Sequence, residues 1–68
     1  MGMDIVLNGR KKSIEDGLSI RRLLEQLSIP SQTVIVEINR KIIERADFEE
    51  TIIHPDDRIE IIRLVGGG

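Results

Sequence analysis

The first hairpin of the fold is encoded by the stretch MDIVLNGRKKSI, residues 3–14. Apolar and polar side chains alternate along its first half, which is the period of a half-buried strand. The residues on the apolar face are Met3, Ile5 and Leu7. Asn8-Gly9 then supplies the two positive-φ positions of a type I′ turn, so the chain is predicted to return antiparallel from Arg10 to Ile14.

One amphipathic helix is predicted after this hairpin. Ser19 is a suitable N-cap residue, and apolar side chains follow it at the i, i+3, i+4, i+7 spacing of a helical stripe. The residues of the stripe are Ile20, Leu23, Leu24 and Leu27. Pro30 lies in the next segment, residues 28–33, which is therefore predicted to end the helix and cross to a new strand.

A second hairpin and a closing strand are predicted in the remainder of the chain. Val34, Val36 and Ile38 alternate with Ile35, Glu37 and Asn39, which indicates a third strand. The turn Asn39-Arg40-Lys41 leads to a short fourth strand at Ile42-Ile43, although arginine suits a positive-φ site less well than glycine. Residues 45–51 lack a clean period and predict an irregular or 3₁₀ stretch anchored by Phe48. Pro55-Asp56-Asp57 predicts a turn, and the last strand follows from Arg58 to Leu64 with Ile59 and Ile61 facing inward.

Two hairpins, one helix between them and a closing strand predict an α+β fold. The expected arrangement is the β-grasp, or ubiquitin-like, fold, in which a mixed sheet wraps around one helix and the last strand lies centrally, parallel to the first. We expect residues 1–65 to form a single β-grasp domain and residues 66–68 to form a flexible C-terminal glycine tail.

Composition narrows the possible functions of these 68 residues. The net charge of −2 and the single aromatic residue argue against nucleic acid as a partner. The chain has no cysteine, which favours a cytoplasmic location, and its apolar runs are too short to cross a membrane. His54 is the only histidine, so a catalytic triad is not predicted. Asp56-Asp57 is better explained as a turn than as part of a metal site, and no metal is expected.

The run Gly66-Gly67-Gly68 is the remaining candidate for chemistry. A backbone without Cβ atoms can enter a narrow channel and present an α-carboxylate to the active site of another protein. A carboxylate is a poor electrophile, so reaction at Gly68 requires activation, as an acyl-adenylate made with ATP by a partner enzyme. Glycines are also tolerated in frayed chain ends, and composition alone leaves both interpretations open.

Sequence segments along the whole chain from residue 3 to residue 68 resemble the ThiS family of thiamine-biosynthesis sulfur carriers. The segments that carry the resemblance are DIVLNG at 4–9, LLEQL at 23–27, VIVEIN at 34–39 and DRIEIIRLVGGG at 57–68. The resemblance implies that a ubiquitin-activating-like enzyme adenylates Gly68 and that a thiocarboxylate then forms there with sulfur from a donor protein. Thiazole synthase would receive the sulfur, and Gly66 and Gly67 would keep the tail narrow. The resemblance implies no bound cofactor, because ATP is consumed by the partner.

The sequence departs from the family pattern in two turns and leaves other functions open. Many members have Asn-Gly where this chain has Asn39-Arg40, and Gly-Asp where it has Asp56-Asp57. The small subunit of molybdopterin synthase is an alternative, with the same fold and terminal glycines but a different sulfur acceptor. A β-grasp binding module that is not conjugated, and a ubiquitin-like protein modifier, are the others.

Strand alternation also predicts a docking surface. Some apolar residues are expected on the sheet face that is turned away from the helix. We expect this face to bind the activating enzyme and thiazole synthase, although scattered exposed apolar residues are also common without a partner. The predicted docking residues are Val6, Ile35, Ile62, Leu64 and Val65.

Overall fold

Five strands and one helix form along residues 1–64, the part of the chain that the computed structural model describes. The strands are β1 (Gly2–Leu7), β2 (Arg10–Glu15), β3 (Val34–Ile38), β4 (Lys41–Ile43) and β5 (Arg58–Arg63). The helix is α1 (Ile20–Gln26), and two 3₁₀ turns cover Ser31–Thr33 and Arg45–Asp47. The predicted elements are therefore confirmed, with shifts of one or two residues at their ends.

The strands form one mixed sheet in the order β2-β1-β5-β3-β4. β1 pairs antiparallel with β2 and parallel with β5, while β3 pairs antiparallel with both β4 and β5. The last strand of the chain therefore lies in the centre of the sheet, parallel to the first. This confirms the predicted β-grasp arrangement of a mixed sheet around one helix.

Both hairpin turns use two successive residues with positive φ. Asn8 and Gly9 have φ values of 49° and 81° in the first turn, and Asn39 and Arg40 have 52° and 72° in the second. The second turn thus forms as predicted, with a bulky residue where glycine is favoured. Asp56 also has a positive φ, 67°, in the turn before β5. Both departures from the ThiS pattern are therefore positions where a non-glycine residue adopts the left-handed conformation.

The helix has well-defined caps at both ends. The Ser19 side chain accepts a hydrogen bond from the backbone N–H of Arg22 at 3.1 Å, as a capping serine should. At the other end, Ser28 adopts a φ of 58° and donates its N–H to the carbonyl of Glu25. Ile29 donates to Leu24, which completes a Schellman motif and turns the chain toward β3.

The core lies between the helix and one face of the sheet and is almost entirely aliphatic. Its fully buried side chains come from the sheet, the helix and the long loop before β5, and are Ile5, Ile20, Leu23, Leu24, Val36, Ile53 and Ile59. Phe48 is also buried and anchors the second 3₁₀ turn, as predicted. Isoleucine and valine dominate because β-branched side chains fit a pleated surface that packs against a helix.

Candidate functional site

The end of β5 is held on the sheet up to the last described residue. The backbone N–H of Leu64 donates a hydrogen bond of 2.8 Å to the carbonyl of Thr33, so pairing with the segment before β3 continues past Arg63. Leu64 itself is exposed. The chain that follows therefore starts from a fixed point at the end of a central strand. The predictions for Val65, Gly66, Gly67 and Gly68 fall outside the described residues.

Two asparagine side chains, one from each hairpin turn, bind the backbone of β5. The Oδ1 atom of Asn8 accepts a hydrogen bond from the N–H of Ile61 at 2.8 Å, directly after β1 ends at Leu7. The Oδ1 atom of Asn39 accepts from the N–H of Arg58 at 2.9 Å on the opposite side. Each side-chain oxygen accepts a hydrogen bond from a backbone N–H of β5, in place of a backbone carbonyl of the neighbouring strand. The asparagines thus extend the pairing of β5 on both edges.

The turn before β5 is organised around Asp57. Its carboxylate accepts from the backbone N–H of His54 at 2.9 Å and from Nδ2 of Asn39 at 3.0 Å. The His54 side chain is largely exposed, and its Nδ1 atom lies 4.0 Å from the carboxylate. These contacts confirm a turn at Pro55-Asp56-Asp57. Within residues 1–64, the structure contains no group of three or more His, Cys, Asp or Glu side chains placed to hold a metal ion.

The outer face of the sheet, which points away from α1, carries the described members of the predicted docking surface. Ile35 on β3 and Ile62 on β5 are direct cross-strand partners, and Ile62 is 42% exposed. Val6 instead lies opposite Arg58. Arg58 and Ile62 are four residues apart on one strand, about 13 Å at about 3.3 Å per residue. The structure therefore brings Ile35 and Ile62 together and places Val6 further along the same face.

Two glutamates lie beside this isoleucine pair and were not among the residues predicted from the sequence. Glu37 on β3 pairs directly with Glu60 on β5. Leu64 donates to Thr33 and Asn39 donates to Arg58 at either end of this ladder, so Glu37 and Glu60 form one of its hydrogen-bonded pairs. Such pairs have Cα atoms about 5.5 Å apart. The period-2 pattern indicates that each glutamate faces outward, but only the strand register shows that they are neighbours.

The same glutamates line a groove of about 310 Å³ on the outer face. Its other lining residues are Val6, Gly9, Arg40, Arg58 and Ile59. The carboxylates lie toward the end of the sheet where β5 finishes, and Arg58 lies two residues further from that end. The outer face is thus apolar at Ile35 and Ile62, acidic next to them, and basic beyond.

The amino-acid sequence, including the run of glycines at residues 66–68, matches a known protein family. The sequence model of the ThiS family matches residues 5–68, nearly the whole chain. The chain belongs to the ThiS family. The resemblance that was noted in the sequence is therefore confirmed, and the matched region includes the run of glycines as well as the folded part.

Individual relatives agree with this family membership. The sulfur carrier protein ThiS of Bacillus subtilis is 38% identical over 63 residues, which are 91% of this chain and 96% of that protein. The crystal structure of a thiamine biosynthesis protein (ThiS) from Geobacter metallireducens has a TM-score of 0.85 at 29% identity, and covers 97% of this chain and all of that one. These ThiS relatives have nearly the same length as this chain.

One relative is much longer. A thiazole synthase of Magnetococcus marinus is 33% identical over 66 residues, which are 97% of this chain but only 20% of that protein. The chain therefore spans about a fifth of the length of this relative. About a fifth of that protein is therefore similar to this chain.

None of the helices among residues 1–64 has the length and apolar character that crossing a bilayer requires. The longest of them, α1, has seven residues.

Proposed function

We propose that this chain is a sulfur carrier of thiamine biosynthesis and that the sulfur is carried as a thiocarboxylate on Gly68. The observation that supports this most directly is the ThiS family match, because it extends to residue 68 and includes the three glycines. The ThiS relatives of similar length point the same way. The protein supplies the acyl group, and partner enzymes perform the catalysis.

The proposed chemistry has two steps. An oxygen of the Gly68 carboxylate attacks the α-phosphorus of ATP, pyrophosphate leaves, and an acyl-adenylate remains. Hydrosulfide or an equivalent sulfur nucleophile then attacks the acyl carbon, the bond to the AMP oxygen breaks, and AMP leaves with the electron pair. The product is a thiocarboxylate, and its sulfur replaces one carboxylate oxygen. The activating enzyme binds the ATP, so this chain needs no cofactor of its own.

The described residues provide a rigid base for this terminus. β5 is paired on both sides, and the Leu64 hydrogen bond keeps the last described residue on the sheet. A tail of four residues spans about 13 Å when extended, at about 3.3 Å per residue. Gly66 and Gly67 have no side chains, which allows a narrow channel to enclose the tail. The folded part then sets how deeply the carboxylate enters the partner.

We propose three protein partners for the carrier: an adenylating enzyme related to ubiquitin-activating enzymes, a sulfur-donor protein and thiazole synthase. The Magnetococcus relative supports the last of these, because a protein named thiazole synthase contains a segment that is similar to this chain. Docking would use the outer face, where Ile35, Ile62 and Leu64 are available, with Val6 and Val65 as further contacts. A cytoplasmic location remains a prediction from the lack of cysteine.

The proposal is tested by the intact mass of the protein after incubation with ATP, a sulfur source and the activating enzyme of the same organism. The full-length chain should gain the mass difference between sulfur and oxygen once per molecule. A chain that lacks Gly67 and Gly68 should gain nothing, while its circular dichroism spectrum and its melting temperature stay the same.

The thiazole-forming role requires a second reaction. Purified thiocarboxylate protein should support thiazole formation by thiazole synthase and should return to its original mass. If the full-length chain stays unmodified while the same activating enzyme modifies another carrier, the sulfur-carrier proposal is wrong. If the thiocarboxylate forms but serves only molybdopterin synthesis, the proposed carrier chemistry is correct and thiazole synthase is the wrong acceptor.

A further inference from the structure

The paired carboxylates of Glu37 and Glu60 are an unfavourable feature of the free protein. Like charges on directly opposite residues of an antiparallel pair destabilise a sheet. Glu37 is half-buried and Glu60 is exposed. The opposite residue to Glu37 on β4 is Ile42, which supplies no charge. Neither neighbouring strand therefore offers a compensating charge directly across from Glu37.

Neither glutamate has a salt-bridge partner in the described part of the chain. The ion pairs formed there by carboxylates join Arg21 to Glu25 and Glu49, Arg22 to Glu25, and His54 to Asp57. Arg40 and Arg58 line the same groove as the two glutamates, yet neither comes within the 4.0 Å of an ion pair. The two negative charges thus remain available to a partner.

The carboxylate pair adjoins an exposed apolar surface on the same two strands. Ile35 and Ile62 form the next outward pair toward the end of β5, and Leu64 follows. Ile62 and Leu64 are 42% and 45% exposed, respectively. Apolar and charged groups are therefore side by side at the end of the sheet from which the glycine tail continues. Any enzyme that receives this tail comes close to both groups.

We propose that Glu37 and Glu60 together receive one basic side chain of the activating enzyme, while Ile35 and Ile62 bind the apolar residues around it. This inference rests on the proposed function and names the chemistry of the enzyme surface that docks there. One cation placed between the carboxylates replaces a repulsion by two attractions. An arginine fits best, because its planar guanidinium can donate to two carboxylates at once.

The charge order along the groove also sets the orientation of the partner. The carboxylates lie nearer the tail, and Arg58 lies further away on the same strand. A complementary enzyme surface therefore has its basic residue close to the entrance of the channel for the tail, and an acidic residue further out. A surface with the reverse order would place like charges together, and this excludes wrong partners.

The test measures the affinity of the activating enzyme of the same organism for Glu37→Gln, Glu60→Gln and the double variant. We expect the double variant to bind at least about tenfold more weakly, a loss of about 1.4 kcal/mol or more in binding free energy, because the charge-assisted hydrogen bonds to the partner's cation are removed. The losses from the two single substitutions should not add, since both remove contacts to the same cation. Binding of the wild-type protein should also weaken more steeply with salt than binding of the double variant.

Stability provides a readout that separates docking from a structural role. Removal of the repulsion should leave the melting temperature of each variant unchanged or higher, although affinity falls. Glu60→Lys should bind still more weakly and be more stable, because it creates a cross-strand ion pair with Glu37. Glu50→Gln, an exposed carboxylate in the loop before β5, is the matched control and should bind like the wild type.

The failure of this inference differs from the failure of the proposed function. If wild-type protein is activated at Gly68 and the double variant binds as tightly as the wild type, the charge recognition is refuted while the carrier role stands. Equal losses for the double variant and Glu50→Gln would also refute it, since they would reflect overall charge. If wild-type protein is neither bound nor activated by an enzyme that works on another carrier, the proposed function itself is wrong.

Discussion

The two hairpin turns provide a reciprocal test of backbone strain. Both turns begin with asparagine and continue with a positive-φ residue, which is Gly9 in one and Arg40 in the other. Exchange of these residues, as Gly9→Arg and Arg40→Gly, should change stability in opposite directions. The two φ values, 81° and 72°, are close enough for the expected magnitudes to be similar.

The expected magnitude follows from two terms. A non-glycine residue in the left-handed region costs roughly 1–2 kcal/mol. Glycine at the same position loses about 0.5–1 kcal/mol more conformational entropy on folding. The net effect is a gain of about 0.5–1 kcal/mol for Arg40→Gly and a similar loss for Gly9→Arg. A Cβ atom at Gly9 would meet no atom within 4 Å, so a steric clash of that atom does not add to the loss.

The free energies of unfolding are measured by urea denaturation, followed by circular dichroism, at equal m-values. For a domain of this size, 1 kcal/mol corresponds to about 4–8 °C in melting temperature, so each change is readily detected. Glu44→Gly is the control, because Glu44 is exposed and has a φ of −67°. It should lose about 0.5–1 kcal/mol. A loss of stability in Arg40→Gly, or a change of the same sign in both turns, would refute the strain argument.

Two further predictions concern the outer face and the asparagine side chains. Ile62→Asp should weaken binding of the activating enzyme at least about tenfold, since central apolar contacts dominate interfaces, and should leave the fold intact. Ile52→Asp, at the same 42% exposure but outside the sheet, should bind normally in the same titration, and unfolding of the Ile62 variant would show that its face is misassigned. Asn8→Ala should cost about 0.5–1.5 kcal/mol and speed amide exchange at Ile61, because that N–H loses its acceptor. Asn8→Asp keeps an acceptor oxygen and should retain most of the protection, so equal exchange in the two variants would contradict this role.

Local sequence signals were sufficient to predict the elements and the fold class. Asn8-Gly9 specifies the first turn, and Ser19 with the apolar stripe after it specifies the helix. These signals work because each depends on residues that are close together in the chain. The left-handed conformations of Ser28 and Asp56 were not predicted, because neither residue type requires it. There, the helix end and the closing turn impose the backbone conformation.

The composition of the outer face of the sheet could be predicted only in part. Alternation indicates correctly that Ile35 and Ile62 share the outer face, but the pairing of Glu37 with Glu60 depends on the register between β3 and β5. That register joins segments that are distant in sequence, so no local pattern reveals it. Val6 lies apart from Ile62 because the parallel pairing with β5 begins at Arg58. The role of Gly68 is predicted from its residue type and from the family resemblance.

The central position of β5 has a mechanical consequence for the proposed function, in which a partner enzyme receives the C-terminal tail. A force applied at Leu64 along the direction of β5 runs nearly perpendicular to the antiparallel hydrogen bonds with β3 and across the slanted parallel bonds with β1. These bonds are loaded together in shear on both sides of β5, whereas an edge strand would be held by one neighbour only. On the proposed function, an enzyme that pulls on the tail therefore loads both sides of β5 at once, and the sheet resists unravelling.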